Sequence, residues 1–153
     1  MTEQPTLEAK QYFQVLRLIH AALIAGVAIF MGVCFFLHRT DLHLLLTSDM
    51  PFFLVAVAMT ASLLPLSFVV HIPLLKTLKP GASLSQVQQV YQTMCLVRWS
   101  MMEASALFSL VAFFVTSNLV FVVLALVNLA VLVLKRPATE EFIAYFRAHG
   151  TEG

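Results

Sequence analysis

The chain has 153 residues, 60% hydrophobic and 11% charged, against roughly 25% charged in a soluble domain, and its mean hydropathy is strongly positive. Four helical spans of about 20 apolar residues each would use nearly all of this length, leaving no room for a soluble catalytic domain. A net charge of +1 without a clustered basic stripe argues against a nucleic-acid partner, so the expected solvent is a lipid bilayer.

The first span is expected over 17–37, where RLIHAALIAGVAIFMGVCFFL stops at the polar HRTD. Its apolar run, 20 residues from Leu18 to Leu37, exceeds the roughly 7–15 of a cleaved secretory signal, so it should stay attached. The second, over 51–75, contains Pro65, which predicts a kink where a backbone hydrogen bond is lost. After KTLKPGAS, Ser83 is a candidate N-cap. Val87, Val90, Tyr91 and Met94 recur at helical spacing opposite Gln86, Gln89 and Gln92, predicting an amphipathic extension over 83–95. It should feed into a third span over 96–115. Thr116, Ser117 and Asn118 make a tight polar turn before a short fourth span over 118–134, which KRP ends. Thr139 can cap a last helix over 139–149. Glu140 and Glu141 suit its positive end, while Phe142, Ile143 and Phe146 form an apolar side expected to lie along the membrane surface. The expected fold is therefore all-α, an integral membrane four-helix bundle with short interfacial or cytoplasmic helical extensions.

Basic residues set the orientation, because Lys and Arg favour the cytoplasmic face. Lys10, Arg17, Lys76, Lys79, Arg98, Lys135, Arg136 and Arg147 fall on one side of the spans and Arg39 on the other. Both termini are expected in the cytoplasm, with Arg17, Arg98, Lys135 and Arg136 at the interface and Arg98 snorkelling to headgroups.

Measured from the nearest basic residue of each span, His20, His71, Glu103 and Asn128 lie roughly 5 to 10 Å into the membrane. Four helices would thus place one polar side chain each in a shared layer, giving Glu103 a partner. A carboxylate there can fix helix register through a hydrogen bond, handle protons or ions, or meet a partner protein or headgroup. Ala21, Ala25, Ala28 and Gly32 form a small-residue stripe on the first span, as Ser105 and Ser109 do on the third; both are packing surfaces for close helix approach. Thr60, Leu64, Ser67 and His71 share one face of the second span.

His38, Asp41, His43 and Asp49 of the outer connector could in principle supply metal ligands, but their spacing matches no defined site. Cys34 and Cys95 lack ligand spacing and count as small apolar residues. No Ser/His/Asp arrangement, phosphate-cradling loop or HExxH occurs, so no enzyme activity, cofactor or metal is expected.

At QVYQTMCLVRWSMMEASALF, FVTSN and LVLKRPATEEF the chain resembles a family of small bacterial four-span membrane proteins without an assigned activity. Arg98, Glu103, Thr116, Asn118, Arg136, Pro137 and Thr139 carry that resemblance, while Ala104 and Ser105 stand where the family often has Gly-Pro. A weaker similarity, to the proton-carrying ring subunits of rotary ATPases, rests on Glu103 beside Ala104, Ser105 and Ala106. The resemblance implies an inner-membrane protein. Its expected function is that of a structural or accessory subunit contacting a membrane-protein partner or its own copies; the alternative is a proton- or ion-coupled transport component using Glu103.

Overall fold

A computed structural model describes residues 4–40, 42–44, 50–78 and 81–149. The order is α1 (Gln4–His38), α2 (Met50–Val69), α3 (His71–Leu75), α4 (Leu84–Thr116), α5 (Leu119–Leu134) and α6 (Thr139–His149), with no strands among the described residues. Three stretches, Gln11–His38, Met50–Leu75 and Leu84–Thr116, are long and apolar enough to cross a membrane; α5 qualifies only together with Thr139–Tyr145, across a bend of 64°. The reason is length. At 1.5 Å per residue the 16 residues of α5 cover about 24 Å, short of the roughly 30 Å hydrocarbon thickness.

α4 touches every other helix, and α5 also packs against α1 and α2. α1 and α2, though consecutive, make at most marginal contact with each other. Both pack on the α4–α5 pair, and the connector residue His43 meets the turn between α4 and α5. It does so with backbone hydrogen bonds: His43 N–H donates to Ser117 O at 3.2 Å and Leu119 N–H to His43 O at 3.0 Å. Ser117 ends α4 in the left-handed conformation at φ 56°, and the Asn118 side chain accepts from Val120 N to start α5. The polar turn expected at Thr116–Asn118 is thereby satisfied although Asn118 is fully buried.

The second and third spans each add a detail to the expected outline. The second span continues as helix through Pro65 and is interrupted at Val70. Pro73 explains the position, because its ring lacks an N–H and crowds the carbonyl four residues earlier, at Val69. At α4, Ser83 caps as expected, through a reciprocal box with Gln86. The amphipathic segment 84–95 is continuous with the apolar one, so the extension and the third span form one helix of 33 residues.

The interior falls into an inner aromatic cluster around Phe13, Leu16, Tyr91, Met94, Trp99, Leu132 and Phe142, and an outer cluster around Cys34, Phe113 and Phe121. Between them Val27 meets Ala106, Leu110 and Ala125, small side chains that let α4 and α5 approach closely. The outward surface is apolar as well. α2 buries only Ala56 and Ser67, while Leu18, Ile29, Phe36, Leu54, Val111, Val115, Val123 and Leu134 all point outward.

Candidate functional site

The four polar residues expected in one layer do not join into one hydrogen-bonded group. Asn128 Nδ2 donates to Thr60 Oγ1 at 3.0 Å and to Leu124 O at 2.9 Å, and Thr60 Oγ1 lies 3.0 Å from Ser105 Oγ. Ser109 Oγ donates to Ser105 O, one turn back. This is a three-helix hydrogen-bonded link, joining α2, α4 and α5 through hydroxyls and an amide. Ser105 and Ser109 are fully buried in it, so their small-residue surface is spent inside the chain. Loss of such a link in an apolar setting costs about 0.6–2 kcal/mol. Asn128→Leu is expected to lower unfolding free energy in detergent by that amount, and adding Thr60→Val should cost little more, since both remove the same bond; additive costs would show that the two do not act together.

His20 belongs to another level, about 9 Å nearer the inner end by the rise between Trp99 and Ser105. Its Nε2 bonds Leu132 O at 2.9 Å, and its ring packs at a tilt of 46° against Trp99, with centroids 4.7 Å apart. Because a carbonyl only accepts, Nε2 carries the proton. Trp99 Nε1 donates to Lys135 O at 2.8 Å. His20 thus adds a bond at Leu132 O, which also accepts from Lys135 N at 3.2 Å, and Trp99 supplies a donor to the Lys135 carbonyl just past the end of α5.

Glu103 is half-buried and makes no hydrogen bond or ion pair among the described residues. The partners anticipated for it are engaged elsewhere, Asn128 by Thr60 and His20 by Leu132. His71 sits past the α2 break with Nδ1 buried and without a hydrogen-bond partner. No hydrogen bond joins any two of the four residues.

The basic residues also divide. Arg98 does not snorkel: it is buried, with Nη2 3.3 Å from Glu141 Oε1 on α6. Lys135 packs its Nζ over the Phe68 ring at 4.3 Å. Arg17 and Arg136 are exposed. α6 folds back against α4 rather than leaving the chain. Phe142 enters the inner cluster beside Phe13 and Tyr91, with ring centroids 5.6 and 5.4 Å away. Phe146, expected on the same apolar side, has its side chain outside the described set. Tyr91 anchors the residue before α6: its hydroxyl donates to Ala138 O at 3.0 Å and accepts from Ala138 N at 3.2 Å.

These contacts fix the elbow between α5 and α6 and leave beside it an open cavity of about 570 Å³ lined by Arg17, His20, Arg136, Pro137, Ala138, Thr139 and Glu140. On α1, Ala21, Ala25, Ala28 and Gly32 face outward, and a methyl group placed on Gly32 would meet nothing within 4 Å. No group of three or more His, Cys, Asp or Glu able to hold a metal occurs among the described residues; Asp41 and Asp49 lie outside them.

The sequence reading missed Thr60 as the partner of Asn128, and Trp99, Tyr91 and Glu141 as the groups that hold the elbow. One signal was present. A fourth span too short to cross leaves its last carbonyls inside, where they require donors from neighbouring helices.

Against known proteins, no family model, curated protein or solved structure matches this chain.

Proposed function

We propose that this chain is a structural or accessory subunit of the bacterial inner membrane, a four-helix membrane bundle that acts through helix–helix contact with a membrane-protein partner or with its own copies. Its spans are α1, α2 with α3, α4, and α5 completed by the elbow, and its termini are cytoplasmic by the distribution of Lys and Arg. Lipid as solvent is supported by the apolar side chains turned outward on all four long helices, a surface too large for a water-soluble monomer. The observation that carries the subunit reading is the outward face of α1. Ala21, Ala25, Ala28 and Gly32 offer another helix close backbone approach, and the chain does not use that face to pack on itself.

The test is association in mild detergent and in nanodiscs, read by cross-linking and co-purification. Gly32→Leu and Ala25→Leu are expected to weaken association about tenfold without lowering unfolding stability, since each added side chain points away from the fold. Protein that stays monomeric and partner-free in both media would overturn the reading.

A second reading, a proton- or ion-coupled transport component, is favoured by Glu103, half-buried and without a partner among the described residues in a segment where a carboxylate is costly. It requires a pH-dependent flux in reconstituted vesicles that Glu103→Gln abolishes. The subunit reading expects that variant to associate normally and expects no such flux.

A further inference from the structure

We infer that the open cavity beside the α5–α6 elbow binds a phosphate group, presented by an anionic lipid headgroup or as free phosphate. This goes beyond the proposed subunit role and holds whether or not α1 recruits a partner; only the lipid source depends on the membrane reading.

Charge comes first. Two guanidiniums, Arg17 from α1 and Arg136 from the elbow, line the cavity, and neither forms an ion pair among the described residues. Guanidinium groups match phosphate oxygens with paired N–H donors. Glu141, one of two acidic residues in the first turn of α6, is engaged by Arg98. Glu140 is then the one carboxylate among the lining residues, set against two guanidiniums.

The second contribution is the start of α6. The first bond of this helix runs from Phe142 N to Ala138 O, so the amides of Thr139, Glu140 and Glu141 come before its hydrogen-bonded ladder. An 11-residue helix presents these N–H groups together with the positive end of its dipole, a combination that favours anions.

The third is His20, only 6% exposed and yet part of the cavity wall. Its Nε2 proton is committed to Leu132 O, whereas Nδ1 has no partner among the described residues. In this tautomer Nδ1 is an acceptor, left for a hydroxyl of the bound group, on a headgroup or on hydrogen phosphate itself.

The cavity wall is also held in place before any ligand arrives. Tyr91 grips both polar groups of Ala138, His20 and Trp99 bond the carbonyls of Leu132 and Lys135, and Pro137 is buried. Preorganisation of this kind removes an ordering cost from binding.

The experiment uses the full chain, delipidated in detergent, with lipid adducts followed by native mass spectrometry. Phosphatidylglycerol and phosphatidylcholine are the lipid probes; glycerol phosphate and inorganic phosphate, titrated by calorimetry, are the soluble ones. Phosphatidylglycerol is expected to bind in preference to phosphatidylcholine. The double variant Arg17→Gln, Arg136→Gln should weaken it by about tenfold or more, Glu140→Gln should tighten it, and Arg39→Gln, at the other end of α1, should leave it unchanged. Arg17 and Arg136 are exposed and unpaired, so circular dichroism of the double variant should match that of the native chain. The Glu140 variant, expected to gain affinity, gives a result that misfolding cannot imitate. Lipid binding without soluble phosphate binding assigns the site to a headgroup, and binding of inorganic phosphate with loss in the double variant assigns it to the free anion. Equal retention of the two lipids without binding of inorganic phosphate, no binding by any probe, or affinity indifferent to Arg17, Arg136 and Glu140 overturns the inference.

Discussion

Trp99→Ala is expected to lower the unfolding free energy by about 3–5 kcal/mol, the range for emptying a buried large aromatic site. The residue is 1% exposed and belongs to the inner cluster with Leu16, Met94, Met102 and Leu132. In a chain surrounded by lipid the exchange of apolar surface from water gives little, because lipid tails are as apolar as Leu. The cost arises from lost dispersion contacts across the void and from stranding Lys135 O, which accepts the indole N–H. Trp99→Phe separates the two effects. It keeps most of the ring and loses the donor, so it should cost about 1–3 kcal/mol for the buried carbonyl. Helical ellipticity followed through thermal or denaturant unfolding in one detergent gives both numbers. If Trp99→Ala unfolds within about 1 kcal/mol of the native chain, the indole is not the support of the elbow.

The same region shows what a sequence can and cannot disclose. Hydrophobic run length, the Ser83 capping box, the Thr116–Asn118 turn and the stop at Lys135-Arg136-Pro137 were all legible, because each follows from local chemistry within a few residues. Depth was legible only coarsely. Counting residues from the nearest basic position assumes that every such residue sits at the interface. Arg98 breaks the assumption by turning inward to Glu141, and α5 breaks it by ending early. The pairing of Asn128 with Thr60 and Ser105 depends on the rotation of three helices about their axes, and periodicity fixes a face without naming the helix that faces it. The same rule that marked Pro65 applies to Pro73, which also lies in the segment and beside which the helix is interrupted. α6 was legible as amphipathic, but its apolar side suits a membrane surface and an aromatic groove equally well. Only the positions of Phe13, Tyr91 and Phe142 decide between them.

The second large effect concerns the ion pair that docks α6, and its signature is asymmetry between the two partners. Arg98 is almost enclosed and Glu141 more open, with side-chain exposures of 10% and 29%. Removing Glu141 strands a guanidinium whose Nε already lacks a partner. Breaking a buried pair from one side costs about 3–5 kcal/mol, and the partial exposure of Glu141 screens that, so Glu141→Ala is expected to cost about 2–3 kcal/mol. Arg98→Met leaves instead a carboxylate that can reach water, and about 1 kcal/mol is expected, near the upper range of an exposed pair. Joined as Arg98→Met, Glu141→Leu, the substitutions should return to within about 1 kcal/mol of the native chain, because an apolar pair of similar volume removes the desolvation cost of both charges. Proteolysis supplies an independent readout. Glu141→Ala should expose the elbow after Leu134 to cleavage, while the double variant stays protected as long as Phe142 keeps its seat between Phe13 and Tyr91. Equal costs for the two single variants, or a double variant as unstable as their sum, would mean that the aromatic contacts hold α6 and the charges only accompany them.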